Sequence, residues 1–233
     1  MSTVRPVAER RGWAVTLAVV LLKPLALLIS RRRWLNGTRI PASGGCILVA
    51  NHISHLEPIL WAHLIYDHGR IPRALGKDSL FELPVIGRIL RSAGQIPVKR
   101  GTRNAATAFA AAMAAVRRGD CLMVYPEGTI TKDPDGWPMA GKTGAARIAL
   151  ATGAPLVPIG QWGAQEILPA YSRRLRLLPR RTVSFSVGEP VDLSDLAGDP
   201  DSAEAIAEAT RRMMAAITAE VELLRGERRP DAA

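Results

Sequence analysis

The stretch Asn51-His52-Ile53-Ser54-His55-Leu56-Glu57-Pro58 follows directly on the apolar run Cys46-Ile47-Leu48-Val49-Ala50. Five consecutive apolar residues read as a strand buried on both faces, the pattern of a parallel sheet. Pro58 suits the first turn of a helix and biases Glu57 away from the α region. The order is therefore strand, loop, helix start. On one continuous helix His52 and Glu57 would be splayed by about 140°, five steps of about 100°. A loop feeding a helix start lets the carboxylate turn back to the imidazole instead. Such a pair makes a general base, because the carboxylate fixes the ring tautomer and offsets the charge of the imidazolium. Read alone, the same residues also fit a solvated loop histidine.

Working outward, strands and helices alternate. Strands are expected at Cys46–Ala50, Arg73–Gly76, Gln95–Val98, Cys121–Tyr125, Pro155–Ile159 and Thr182–Val187. Helices are expected from Ile59 to Asp67, Ser79 to Ser92, Asn104 to Arg118, Thr143 to Thr152 and Asp201 to Leu224. Gly119 and Gly153 stand where helices end. Asp201 with Glu204 resembles a capping box. The stripe Ile206, Met213, Ile217, Val221 and Leu224 falls at helical spacing and reads as core packing. The alternation implies an α/β layered domain whose mostly parallel central sheet is flanked by helices, with functional loops at strand ends.

The chain has 233 residues, 48% of them hydrophobic and 22% charged, enough for a sizeable core and too apolar for disorder. Its net charge of +10 calls for an anionic partner: nucleic acid, an anionic membrane surface or a phosphorylated substrate. The two cysteines, Cys46 and Cys121, lie inside strand-like runs and read as small buried hydrophobes. Trp13 to Ile29 is nearly all apolar, but Lys23-Pro24 interrupts it and arginines flank it on both sides. A charge at mid-segment is costly in a spanning helix, and no small-residue cleavage site follows as in a signal peptide. The reading that fits best is an interfacial helix in one leaflet, with its arginines and Trp34 at the headgroups. A core helix with basic flanks is the alternative.

Three further stretches lie at strand ends. In Gly94-Gln95-Ile96-Pro97-Val98-Lys99-Arg100-Gly101, two cations follow a strand and precede a helix, which suits a phosphate. A solvated basic turn has the same composition. In Tyr125-Pro126-Glu127-Gly128-Thr129-Ile130-Thr131, Glu127 suits a substrate hydroxyl or the neutralisation of cations, and Gly128 allows close backbone approach. An ordinary turn fits as well. In Ala140-Gly141-Lys142-Thr143-Gly144-Ala145, Lys142 precedes a helix, but the upstream glycine of a P-loop is missing, which argues against ATP. His55 lacks the spacing to a carboxylate, His63 and His68 suit surface or packing roles, and Ser54 and Ser79 lack a nucleophile elbow. The run Arg173, Arg174, Arg176, Arg180 and Arg181 reads as a solvated or membrane-facing loop.

Taken together, the four stretches resemble the glycerolipid acyltransferase family, which includes bacterial lysophosphatidate acyltransferases. The family's histidine–four residues–aspartate box corresponds to His52 and Glu57. Its second block corresponds to Gly94 through Arg100, its proline-glutamate-glycine-threonine block to Pro126 through Thr129, and its apolar proline block to Ala154 through Pro158. Two departures stand out: Glu57 replaces the usual aspartate, and Ile130 stands where arginine often follows the glycine-threonine pair. The resemblance implies an O-acyltransferase with His52 as base and Glu57 as its orienting partner. It further implies that Lys99, Arg100 and Lys142 bind the acceptor phosphate while Glu127, Gly128 and Thr129 shape its pocket. The implied donor is acyl-CoA or acyl-carrier protein, a co-substrate, with no cofactor and no metal. The implied acceptor is lysophosphatidate; glycerol 3-phosphate, another lysophospholipid or a glycolipid alcohol is the alternative, and a thioester hydrolase a further one. The resulting division is an interfacial anchor over 1–40, an acyltransferase domain over 41–226 and a frayed tail over 227–233, placed at the cytoplasmic face of the cell membrane. Nucleic acid is a poor partner for a chain with only 5% aromatic residues and no groove-reading motif.

Overall fold

The computed structural model describes residues 4–98, 105–172 and 174–230. Lys99, Arg100 and Arg173 lie outside these residues. Seven strands form one sheet: β1 (Ser30–Leu35), β2 (Cys46–Ala50), β3 (Pro72–Lys77), β4 (Ile96–Val98), β5 (Cys121–Val124), β6 (Leu156–Trp162) and β7 (Arg181–Val187). Their order across the sheet is β1-β7-β6-β2-β5-β3-β4. All neighbours run parallel except β6 and β7. The helices are α1 (Trp13–Ile29), α2 (Glu57–Asp67), α3 (Asp78–Glu82), α4 (Pro84–Ser92), α5 (Ala105–Arg117), α6 (Gly144–Thr152), α7 (Ala164–Ile167) and α8 (Ala203–Arg225).

The expected layered α/β domain is therefore present, and its central strand β2 is buried at every residue. One core layer joins β2, β6 and β7 to α2, and the other joins β2 and β5 to α5, α6 and α8. Cys46 and Cys121 are register partners on neighbouring strands, both buried and both free thiols. The register runs from Ile47 opposite Leu156 to Ala50 opposite Ile159, and from Cys46 opposite Cys121 to Val49 opposite Val124. The carboxyl ends of β2, β5 and β6 thus emerge side by side.

Four elements differ from the sequence expectation. The helix over Ser79–Ser92 is two helices, broken before Pro84, which sits in the first turn of α4 with extended Leu83 as its cap. Strand β1 was not anticipated: Arg31, Arg32 and Arg33 are exposed, so no apolar alternation marks it. Those arginines lie on a sheet edge rather than simply flanking a helix. Strand β6 runs to Trp162, past the expected end at Ile159. The cap of α8 is Ser202 rather than Asp201, its hydroxyl accepting from the Ala205 amide at 3.0 Å. The buried stripe of α8 is Ala205, Ala209, Met213, Ile217 and Val221; Ile206 and Leu224 are only half-buried at its flanks.

Among the described residues, no helix is long and apolar enough to cross a membrane. Lys23, in the middle of α1, donates to buried Asp67 on α2 at 2.6 Å, and Arg32 donates to the same carboxylate at 3.0 Å. Burial alone would raise the Asp67 carboxyl, but the His63 and Lys23 hydrogen bonds outweigh it and hold the group below its usual range. The charge inside an apolar helix is thereby matched, and it fixes α1 on α2.

Helix α8 lies so close to β6 that a Cβ on Gly160 would sit 2.5 Å from the Glu220 carbonyl carbon. Nothing larger than hydrogen fits there without moving the helix. Gly160→Ala is expected to destabilise the fold by about 2 kcal/mol, lowering Tm by about 6 °C in a chain of this size. An unchanged melting temperature in calorimetry contradicts this packing.

Candidate active site

At the carboxyl end of β2 the chain is clamped to β6. The Asn51 side chain donates to the Gln161 carbonyl at 3.1 Å and accepts from the Gln161 amide at 2.9 Å. The Gln161 side-chain amide donates back to the Asn51 carbonyl. Both residues are fully buried, and these three hydrogen bonds pair both Asn51 side-chain polar atoms and the Gln161 main chain where water cannot reach them. The next residue, His52, leaves the sheet in a fixed direction.

His52 is then held through its main chain. Its amide donates to Glu127 Oε1 at 2.9 Å, and its carbonyl accepts from the Thr131 amide at 2.7 Å. Its ring stacks on Tyr125, with centroids 4.1 Å apart and planes 18° from parallel. Nδ1 hydrogen-bonds to Glu57 Oε1. Nε2 has no hydrogen-bond partner among the described residues, and the side chain keeps 16% of its surface accessible.

Glu57 has no exposed surface. It opens α2, with Pro58 behind it in the first turn. The pre-proline bias is overridden because the carboxylate is cradled: the Ile53 amide lies 3.0 Å from both oxygens and the Ser54 amide 3.0 Å from Oε2. Burial pushes the Glu57 carboxyl up, and the two amides pull back toward the carboxylate.

The second strand end contributes Glu127, Gly128 and Thr129. Glu127 is buried, and besides the His52 amide it accepts from the Met139 amide at 3.0 Å. Each Glu127 oxygen accepts from a main-chain amide, which ties the β2 and β5 loops together. Gly128 has a left-handed φ of 72°, and a Cβ on it would lie 2.6 Å from Lys142 Nζ. The Lys142 amide also donates to the Pro126 carbonyl at 2.8 Å. Thr129 and Lys142 are exposed at this mouth.

His52, Glu57, Glu127, Gly128 and Lys142 are thus assembled at one edge of the sheet. Asn51, Gln161 and Tyr125 are positioning residues that motif reading missed. Asn51 directly precedes His52 and Tyr125 directly follows β5, but their partners lie far away in sequence.

Burial depresses the His52 imidazole below its ordinary value of 6.5, against the opposing pull of the Glu127 charge. A lowered value means that the ring gives up its proton at lower pH, so more than half is neutral at pH 6.5. An NMR titration of 15N-histidine, assigned with His52→Ala, is expected to place its midpoint below 6.5. A midpoint above that value contradicts the burial-dominated site.

A family model described as Acyltransferase matches residues 32–162. A chloroplastic 1-acyl-sn-glycerol-3-phosphate acyltransferase from Brassica napus is 34% identical over 128 residues, covering 54% of this chain and 36% of that protein. A 1-acyl-sn-glycerol-3-phosphate acyltransferase from Borreliella burgdorferi is 30% identical over 135 residues, covering 54% of this chain and 52% of that protein. The chain thus spans about a third to a half of the length of these relatives. The crystal structure of PlsC, the 1-acyl-sn-glycerophosphate acyltransferase of Thermotoga maritima, shares the fold with a TM-score of 0.67 at 22% identity, over 93% of this chain and 81% of that one. With more than half of the chain matched, and the histidine–carboxylate pair inside the matched region, this protein belongs to the acyltransferase family.

Proposed function

We propose that the protein transfers a fatty acyl group from an acyl thioester to the free hydroxyl of lysophosphatidate, making phosphatidate. The observation that carries this reading is the His52–Glu57 pair: Nδ1 is committed to a buried carboxylate while Nε2 stays open to the mouth. Nε2 takes the proton of the acceptor hydroxyl as its oxygen attacks the thioester carbonyl. The new C–O bond forms, the C–S bond breaks, and the imidazolium returns the proton to the leaving thiolate. Glu57 keeps the tautomer fixed and offsets the transient positive charge. Both substrates are bound together, and no acyl-enzyme is formed. The printed names of the two relatives support the acceptor, and acyl-CoA or acyl-carrier protein is the donor of matching chemistry.

The acyl chain has a place to lie. A cavity of about 440 Å³ runs from Pro58 and Ile59, next to Glu57, along Val15, Val19 and Leu22 of α1 to Leu90 of α4. Its size is that of an ordinary ligand pocket. Around it α1 exposes Trp13, Leu17, Leu21, Leu25 and Leu28, and α4 exposes Val85 and Ile86. Such a patch beside exposed Arg31 and Arg33 suits a peripheral or monotopic seat on an anionic membrane, at its cytoplasmic face. The proposed phosphate-binding residues Lys99 and Arg100 lie outside the described residues; Lys142, the third of them, stands at the mouth beside Gly128.

The test offers purified protein palmitoyl-CoA with lysophosphatidate or glycerol 3-phosphate and identifies the products by mass spectrometry. Phosphatidate is expected from lysophosphatidate, with His52→Ala lowering kcat about a thousandfold while the melt is unchanged. Free palmitate as the sole product, or full activity of the alanine variant, contradicts the proposal.

A further inference from the structure

Between α7 and β7 the chain runs through Arg174-Leu175-Arg176-Leu177-Leu178-Pro179-Arg180, and all seven residues are exposed and outside any helix or strand. Leu178 keeps 86% of its surface accessible, Leu175 58% and Leu177 43%. From Ile167 to Gly188 there is no aspartate or glutamate, so no acid within the segment neutralises its arginines. Three leucines held in water between such arginines suit a surface that offers hydrocarbon beneath a layer of negative charge.

Both ends of the segment are fixed. At its far end the Arg180 guanidinium donates to the Ser30 carbonyl at 2.7 Å and to the Leu27 carbonyl, in and just after the last turn of α1. Arg181 is the register partner of Ser30, so β7 starts where α1 ends, next to the turn that exposes Leu25 and Leu28. At its near end the Leu168 carbonyl accepts from Ser54 Oγ at 2.7 Å, and the Tyr171 hydroxyl donates to the Ile130 carbonyl at 2.8 Å. Ser54 belongs to the cradle of Glu57, and Ile130 follows Thr129. The segment therefore leaves from the mouth of the site and returns to the end of α1. We propose that Leu175, Leu177 and Leu178 enter an anionic bilayer with Arg174 and Arg176 at its headgroups, a second membrane contact continuous with α1 that sets the mouth of the site at the lipid surface. An acidic carrier protein would answer the arginines; the leucines, continuous with the exposed apolar face of α1, favour the bilayer. The inference rests on the peripheral seat proposed above.

The test sediments the full chain with vesicles of phosphatidylglycerol and phosphatidylcholine. Leu178→Asp is expected to weaken binding about tenfold, with the melt unchanged because the side chain lies on the surface. Leu223→Asp, which places the same charge at an exposed leucine of α8, changes binding less than twofold. With lysophosphatidate embedded in the vesicles, Leu178→Asp raises acceptor KM about tenfold, while a short-chain, water-soluble lysophosphatidate is acylated with kcat and KM within twofold. Equal losses in Leu178→Asp and Leu223→Asp overturn the proposal, since they mark charge repulsion alone. So does an equal loss on the soluble acceptor with a lowered melt, which marks a structural role. An effect confined to the KM for acyl-carrier protein, with vesicle binding intact, overturns it in favour of a protein docking surface. If the wild-type chain does not sediment with the vesicles, the peripheral seat fails and this inference falls with it. Wild-type sedimentation that Leu178→Asp leaves unchanged removes this inference alone.

Discussion

A carboxylate with no exposed surface, Glu57, sits at the first residue of α2, and the rest of the site is arranged around the need to stabilise it. Moving such a group out of water costs several kcal/mol even after relaxation. Hydrogen bonds to a charged group return about 1.5–3 kcal/mol each. Two amides, from Ile53 and Ser54, and the imidazole N–H of His52 supply three of them. The total, about 5–9 kcal/mol, is comparable to the cost, so the carboxylate is retained only while the loop keeps this shape. The same bonds orient His52.

The loop keeps its shape because both of its ends are held. Asn51 and Gln161 bind β2 to β6 through mutual hydrogen bonds, and Glu127 binds the His52 and Met139 amides at once. Each contact draws on a different strand end, which only a parallel arrangement of β2, β5 and β6 brings to the same edge. Burial then lowers the proton affinity of His52, keeping the ring in the form that accepts a proton. Fold, cradle and base are one dependency. A mostly apolar cavity lies between α1 and α2, lined by Pro58 and Ile59 at the start of the helix that Glu57 opens.

Much of this was legible in the chain, for physical reasons that can be named. The run from Cys46 to Ala50 is apolar throughout because β2 is covered on both faces, and Pro58 marks the start of α2. The five-residue spacing of His52 and Glu57 would splay them about 140° apart on one continuous helix, which favoured a loop contact. Gly153 announced the end of α6 through its left-handed backbone. What escaped depends on distant partners. Gln161 lies 110 residues from Asn51, beyond the apolar run that ends at Ile159. Strand β1 carries three exposed arginines, so its membership of the sheet comes from pairing with β7 and not from any pattern of its own. The cap of α8 went to the neighbour of the residue expected, since Asp201 and Ser202 both suit that position and only the geometry chooses.

In the proposed reaction His52 and Glu57 act as one unit. The most direct test compares kcat/KM for His52→Ala, Glu57→Gln and the double variant under single-turnover conditions. Groups that work as a unit lose their effect together, so the double variant should be no slower than His52→Ala alone. If the two losses multiply, Glu57 serves catalysis independently of the histidine, and the account of the cradle as the support of the base is wrong.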